Sequence, residues 1–139
     1  MPLVIPVEIR FADIDKLGHV NNAVYLSYFE QARLSYFQQV IGANIDWSEN
    51  GIILARAEIN YILPVNLEDN IIVEISCSRT GTKSFDLEYK LFKQSGDKNI
   101  LATEGKTIMV CYNYKASQTI AIPVNWANKI RVFEGINGM

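Results

Sequence analysis

Residues 21–42, NNAVYLSYFEQARLSYFQQVIG, decide the fold. Asn21 and Asn22 each offer a side-chain cap for a helix start, and no glycine or proline interrupts the run until Gly42 stops it. At 100° per residue, Tyr25, Leu26, Phe29, Ala32, Tyr36, Phe37 and Val40 share one arc, while Ser27, Gln31, Ser35 and Gln38 lie opposite. The run predicts an amphipathic helix of about 30 Å, the only long helix in the sequence.

Outward from this helix the chain reads as sheet. Downstream, 51–63, 70–79, 84–92 and 100–114 are long runs rich in Ile, Val, Leu, Phe and Tyr. The intervening 64–69, 80–82 and 94–97 carry turn residues and predict hairpin-like connections between antiparallel neighbours. Upstream, 3–11 reads as a strand whose Pro6 suits a sheet edge or a strand start. A short strand-like 119–122 leads to Pro123 and a final helix over 124–134 stopped by Gly135. The expectation is a single α+β domain over 1–139, a curved antiparallel sheet wrapped around one long central helix. One helix cannot cover both faces of such a sheet, so a second copy of the chain is expected at an edge or on the bare face.

Composition limits the function. The 139 residues carry 13 Lys+Arg against 15 Asp+Glu, and no basic run offers a nucleic-acid partner a charged face. No window approaches the apolar length of a membrane span, and the N-terminus lacks a signal-peptide pattern, so a cytoplasmic protein is expected. Cys77 and Cys111 read as buried small hydrophobes of a reducing compartment. A single histidine, His19, excludes a multi-histidine metal centre, and no metal or cofactor is expected.

The densest chemistry lies just before the helix, where Asp13, Asp15, His19, Asn21 and Asn22 fall within ten residues. Turn formation and helix capping account for such residues. The same position also suits catalysis, because a helix start presents free N–H groups and partial positive charge to a carbonyl or oxyanion. An aspartate there can attack that carbonyl or activate a water.

The sequence resembles the hotdog-fold acyl-CoA thioesterases of the 4-hydroxybenzoyl-CoA thioesterase family. The likeness runs through Arg10-Phe-Ala-Asp13-Ile-Asp15, Gly18-His-Val-Asn-Asn22, Tyr25 and Tyr28-Phe-Glu30-Gln-Ala-Arg33. It continues through Ile59-Asn-Tyr61-Ile-Leu-Pro64, Asp69, Arg79-Thr-Gly81, Lys83-Ser-Phe85 and Tyr89, and closes with Ile122-Pro-Val-Asn-Trp126 and Phe133-Glu-Gly135. The resemblance implies a hotdog fold and hydrolysis of an acyl-CoA, with Asp15 as the catalytic aspartate and the backbone N–H near Asn22 as carbonyl donor. It gives Asp13 no catalytic part and leaves that residue to a turn or salt bridge.

His19 matches a functional position in the related plant acyl-carrier-protein thioesterases, although Leu17 stands where they carry an asparagine; a structural hydrogen bond is its other reading. Glu30 matches an acidic position in the family helix, which makes it a candidate catalytic residue, while the residues themselves favour an i,i+3 ion pair with Arg33. Tyr25 reads as substrate-binding or as packing. Lys83, with Ser84 beside it, matches a position that touches coenzyme A phosphates, but Thr82 replaces a strengthening arginine and a solvated hairpin lysine is the alternative. Trp47, Ile52 and Ile53 fall where the family builds acyl-pocket walls. The competing expectations are an acyl-ACP thioesterase, a non-catalytic acyl-CoA-binding protein of the same fold and, last, a dehydratase. Self-association as a dimer or tetramer is expected in each case.

Overall fold

The computed structural model describes residues 2–135. Its elements are β1 (Leu3–Val7), a 3-10 turn (Phe11–Asp13), α1 (Val24–Tyr36), β2 (Gly51–Tyr61), β3 (Asn70–Thr80), β4 (Ser84–Ser95), β5 (Lys98–Asn113), β6 (Gln118–Thr119) and α2 (Val124–Glu134). All pairings are antiparallel, in the order β1-β3-β4-β5-β2, with β6 against the end of β5. The expected α+β sheet and central helix are present, with strand ends moved by a few residues.

The sheet curls around α1. Phe85, Leu87, Tyr89 and Leu91 of β4 alternate inward, and Val73, Ile75 and Cys77 of β3 do the same, giving the helix a buried apolar wall. Phe29 stacks on Tyr89 at 4.5 Å between ring centroids. Gly105 of β5 makes room for that ring, since a Cβ there would lie 2.6 Å from Phe29 and 3.0 Å from the Glu58 carbonyl. On the outer face the facing rows Glu74, Lys90, Glu104 and Glu88, Lys106, Glu58 alternate in charge across the strands, as suits a solvated surface.

Three expectations are corrected. Segment 64–69 is no hairpin turn, because β2 and β3 lie at separate places in the sheet and the chain arches over its end to join them. Eight residues, 62–69, reach about 26 Å extended, ample for three strand spacings of about 14 Å. The helix start carries no side-chain cap from Asn22; Ala23 is the capping residue, while the Asn21 side chain takes the Ala23 N–H at 2.9 Å. The buried stripe of α1 is rotated, so that Tyr28 is buried and Leu26 exposed. The run ends in a π-turn at Phe37–Ile41, and Gly42 stops it with φ of 141°.

α2 packs Trp126 and Ile130 inward and is pinned near its end. Glu134 Oε2 accepts the Tyr36 hydroxyl at 2.7 Å and the Cys77 N–H at 2.8 Å. Cys77 and Cys111 are free and buried, and burial pushes their thiols up to about 12 and about 11. They are inert packing groups.

Candidate active site

The loop from Asp13 to Asn22 is folded by its own polar side chains. Asp13 is 1% exposed and accepts the Arg10 backbone N–H at 2.9 Å, the Arg10 guanidinium at 3.0 and 3.2 Å and the Tyr28 hydroxyl at 2.7 Å. Burial works to raise its pKa, but these donors together hold the carboxyl below the usual range. All of this fastens the loop to α1. Asp13 is therefore structural, as its salt-bridge reading holds.

Asp15 is half-buried and held differently. Its Oδ1 accepts the Leu17 N–H at 2.9 Å and the His19 N–H at 3.2 Å, and its own N–H donates to the His19 carbonyl at 2.8 Å. Gly18, at φ of 85°, lets the chain turn back tightly enough for His19 to return. Those two donors fix the carboxylate through Oδ1 and leave Oδ2 without a partner among the described residues.

The arch from β2 supplies the floor. Val20 N–H donates to the Val65 carbonyl at 2.8 Å, and His19 pairs with Asn66 as an isolated bridge. Asp69 braces the arch by accepting the Asn66 N–H at 2.7 Å and pairing with Lys93 at 3.1 Å. The helix start lies next to it. Asn21 occupies the Ala23 N–H with its side chain and the Val24 N–H with its carbonyl, whereas the Asn22 N–H has no partner among the described residues. Tyr61, at the end of β2, donates to the Asn22 carbonyl at 2.9 Å. Asp15, His19 and Asn22 thus share one loop, anchored by Asp13, which the sequence reads as a turn or salt-bridge residue, and by Tyr28, Tyr61 and Asn66, which it does not single out as site-forming.

Tyr25 is buried beneath this loop against Tyr28 and Tyr61, with ring centroids 6.1 and 5.2 Å away. Burial raises its phenol, with a smaller contribution from the Asp15 charge. Glu30 lies further along α1, exposed, 3.8 Å from Arg33. Lys83 and Ser84 sit in the β3–β4 hairpin, at the end of β3 opposite to Asn66 and about 33 Å away by strand rise. There Lys83 Nζ donates to Thr119 Oγ1 at 3.2 Å and Ser84 Oγ accepts from Arg79 at 3.2 Å. One chain does not bring Lys83 to Asp15.

Between α1 and the edge strand β2 runs a groove of about 370 Å³ lined by Glu30, Arg33, Leu34, Phe37, Trp47, Ile52, Leu54 and Met109. It includes Trp47 and Ile52 of the expected acyl-pocket walls; Ile53 alternates to the other face of β2. Among the described residues no three His, Cys, Asp or Glu side chains converge as a metal-binding set, and no helix is long and apolar enough to cross a membrane.

The profile of the thioesterase-like superfamily matches residues 9–130. A crystal structure of a thioesterase from Thermus thermophilus, complexed with coenzyme A and Zn, is 34% identical and superposes with a TM-score of 0.82 over 95% of this chain and 93% of that one. The chloroplastic acyl-acyl carrier protein thioesterase ATL3 of Arabidopsis thaliana is 26% identical over 80% of this chain. The acyl-CoA thioesterase YbgC of Haemophilus influenzae is 26% identical over 85% of this chain and 86% of its own length. The match takes in only 60% of the plant protein's length, and 56% of another curated relative's.

Proposed function

The chain belongs to the thioesterase-like superfamily, and from this premise we propose that it hydrolyses an acyl-CoA thioester to the free acid and coenzyme A. The carrying observation is that one loop holds an Asp15 Oδ2 and an Asn22 N–H that both lack a partner among the described residues. In this reading the Asn22 N–H donates to the thioester carbonyl and strengthens its bond as the oxygen gains charge. Oδ2 of Asp15 attacks the carbonyl carbon, the C–S bond breaks, and the thiolate leaves to take a proton from water; a second water then hydrolyses the mixed anhydride. The alternative route has Asp15 take a proton from the attacking water and return it to the thiolate. Oδ2 has no partner among the described residues and Oδ1 is tied back by two N–H donors, which suits direct attack.

The apolar groove beside α1 takes the acyl chain. The finer placement, in the 4-hydroxybenzoyl-CoA thioesterase family, rests on the block from Arg10 to Arg33. Cytoplasmic, cofactor-free action belongs to the same proposal. An acyl-ACP substrate is the second reading, favoured by the likeness to the plant enzyme and by the thin positive charge around Lys83, whose ammonium is tied to Thr119.

The working unit we propose is a dimer joined along β2. The other sheet edge, β1, is short and carries Pro6, whereas β2 is long, proline-free and exposed from Leu54 to Glu58. Antiparallel pairing about a two-fold axis sets the Asp15 end of one chain beside the Lys83 end of its partner.

The test is hydrolysis of a panel of acyl-CoAs by the wild type and Asp15→Asn. At least a hundredfold loss of kcat is expected in the variant; equal rates remove Asp15 from the reaction. A single turnover in heavy-oxygen water labels the Asp15 carboxylate when water opens the anhydride at the Asp15 carbonyl carbon, an outcome that only direct attack allows.

A further inference from the structure

The acyl groove contains one polar station. Six of its lining residues, Leu34, Phe37, Trp47, Ile52, Leu54 and Met109, are apolar, and the other two are Glu30 and Arg33. The Arg33 side chain is only 12% exposed, whereas the Glu30 side chain is 63% exposed at the rim. Arg33 Nη1 donates to the Tyr89 hydroxyl at 3.3 Å, a long bond to a neutral oxygen that is already held by Thr107 Oγ1 at 2.6 Å. Its Nη2 lies 3.8 Å from Glu30, beyond hydrogen-bond reach. A guanidinium carries five N–H donors; no Arg33 nitrogen is a buried atom lacking a partner, so those that Tyr89 leaves over open onto the groove, where a bound acyl chain would cover them.

We propose that Arg33 and Glu30 read a hydroxyl towards the far end of the acyl chain, so that the preferred substrate is a medium-chain hydroxyacyl thioester. A hydroxyl is the group that answers both side chains, accepting from the guanidinium and donating to the carboxylate. A carboxylate on the chain would satisfy Arg33 but meet Glu30 as a like charge. A bare alkyl chain would cover the open N–H groups of Arg33 and offer them no acceptor. The position on the chain follows from the helix. Glu30 and Arg33 lie six and nine residues after Val24, and the Arg33 side chain leans back towards Glu30, so the station stands about 9–14 Å along the axis from the helix start where the thioester carbonyl is held. A chain shorter than that does not reach the station, and a single aromatic ring does not either.

The inference rests on the thioesterase reading for where the carbonyl sits, and the experiment separates the two. The wild type, Arg33→Met and Arg33→Lys are assayed on decanoyl-CoA, its ω-hydroxy counterpart and its ω-carboxy counterpart. The wild type is expected to favour the ω-hydroxy substrate at least about tenfold in kcat/KM. Arg33→Met abolishes that preference, and Arg33→Lys keeps part of it. The same three ligands are titrated calorimetrically into Asp15→Asn, with and without Arg33→Met, so the preference is read as affinity even if no thioester is turned over. Absence of turnover with retained preference overturns the thioesterase reading alone. Equal handling of hydroxy and plain chains by the wild type, an undiminished preference in Arg33→Met, or a preference for the carboxylate overturns this one. Should Arg33→Met fail to fold, Glu30→Gln at the exposed rim carries the test: its discrimination of hydroxyl over carboxylate falls about tenfold, and unchanged discrimination counts against the station.

Discussion

Asp13 and Asp15 stand two positions apart and are held in opposite ways. An extended segment would point them to the same side, but the 3-10 turn at Phe11–Asp13 buries the first and leaves the second half-buried in the loop. Asp13 has its full set of donors and no capacity left for chemistry. Asp13→Asn removes the charge from those bonds and is expected to cost about 2 kcal/mol of stability at neutral pH, read from denaturant midpoints. The sign with pH follows from the lowered pKa of Asp13. A depressed carboxyl contributes stability above its unfolded pKa, near 3.9, and loses it as pH falls through the lower folded value. The gap between wild type and variant is therefore flat above about pH 5 and closes only in stronger acid; a gap that widened on acidification would refute the assignment. The loop that holds Asp15 was legible as a turn before the helix, and Asp13 as a salt-bridge residue. Tyr28 was not, because its burial depends on a hydroxyl bond to a residue fifteen positions back.

At the scale of elements, the helix was legible in extent but not in rotation. The apolar arc read from the sequence sums two demands. Tyr25, Phe29, Ala32 and Tyr36 face the sheet, while Phe37 lines the groove and Leu26 is exposed. A wheel projection merges them; only the sheet separates them. The β3–β4 and β4–β5 hairpins were equally plain, being local. The partner of β2 was not, since it pairs with β5 rather than with the strand next in sequence. That arrangement is what sends the arch past the Asp15 loop, so the part of the site built by Val65 and Asn66 is invisible to local pattern. Helix and sheet also meet at a point that allows no added volume. Gly105→Ala drives a Cβ against the Phe29 ring, which cannot retreat from its stack on Tyr89, and against the Glu58 carbonyl. A loss of about 1–3 kcal/mol is expected, and a smaller variant at Phe29, Phe29→Leu, combined with it recovers part of that loss if the contact is the cause. Thermal unfolding of the single and double variants checks this, and strict additivity would count against it.

For the whole molecule, the decisive dimension is the length of the sheet. Asp15 and Lys83 lie at opposite ends of β3, so a ligand held by both must cross between chains or one of the two is irrelevant to it. Pairing along β2 resolves the distance without distorting either chain: the partner's Lys83 hairpin comes to the same end as Asp15, three strand spacings or about 14 Å beyond β2. Native mass measurement is expected to give at least two copies of the 15.7 kDa chain. Mixing supplies the sharper prediction. Asp15→Asn chains and Lys83→Ala chains are each impaired alone, yet a mixed dimer holds one site with an intact Asp15 facing an intact Lys83, and one site with neither. Exchange of subunits between the two preparations should therefore raise the rate above the mean of the separate samples, towards about half of wild type in the mixed dimers, because each such dimer has one complete site of two. If both residues served the same chain's site, no mixed dimer would contain a complete one, and the mixture would run at the mean of its parts.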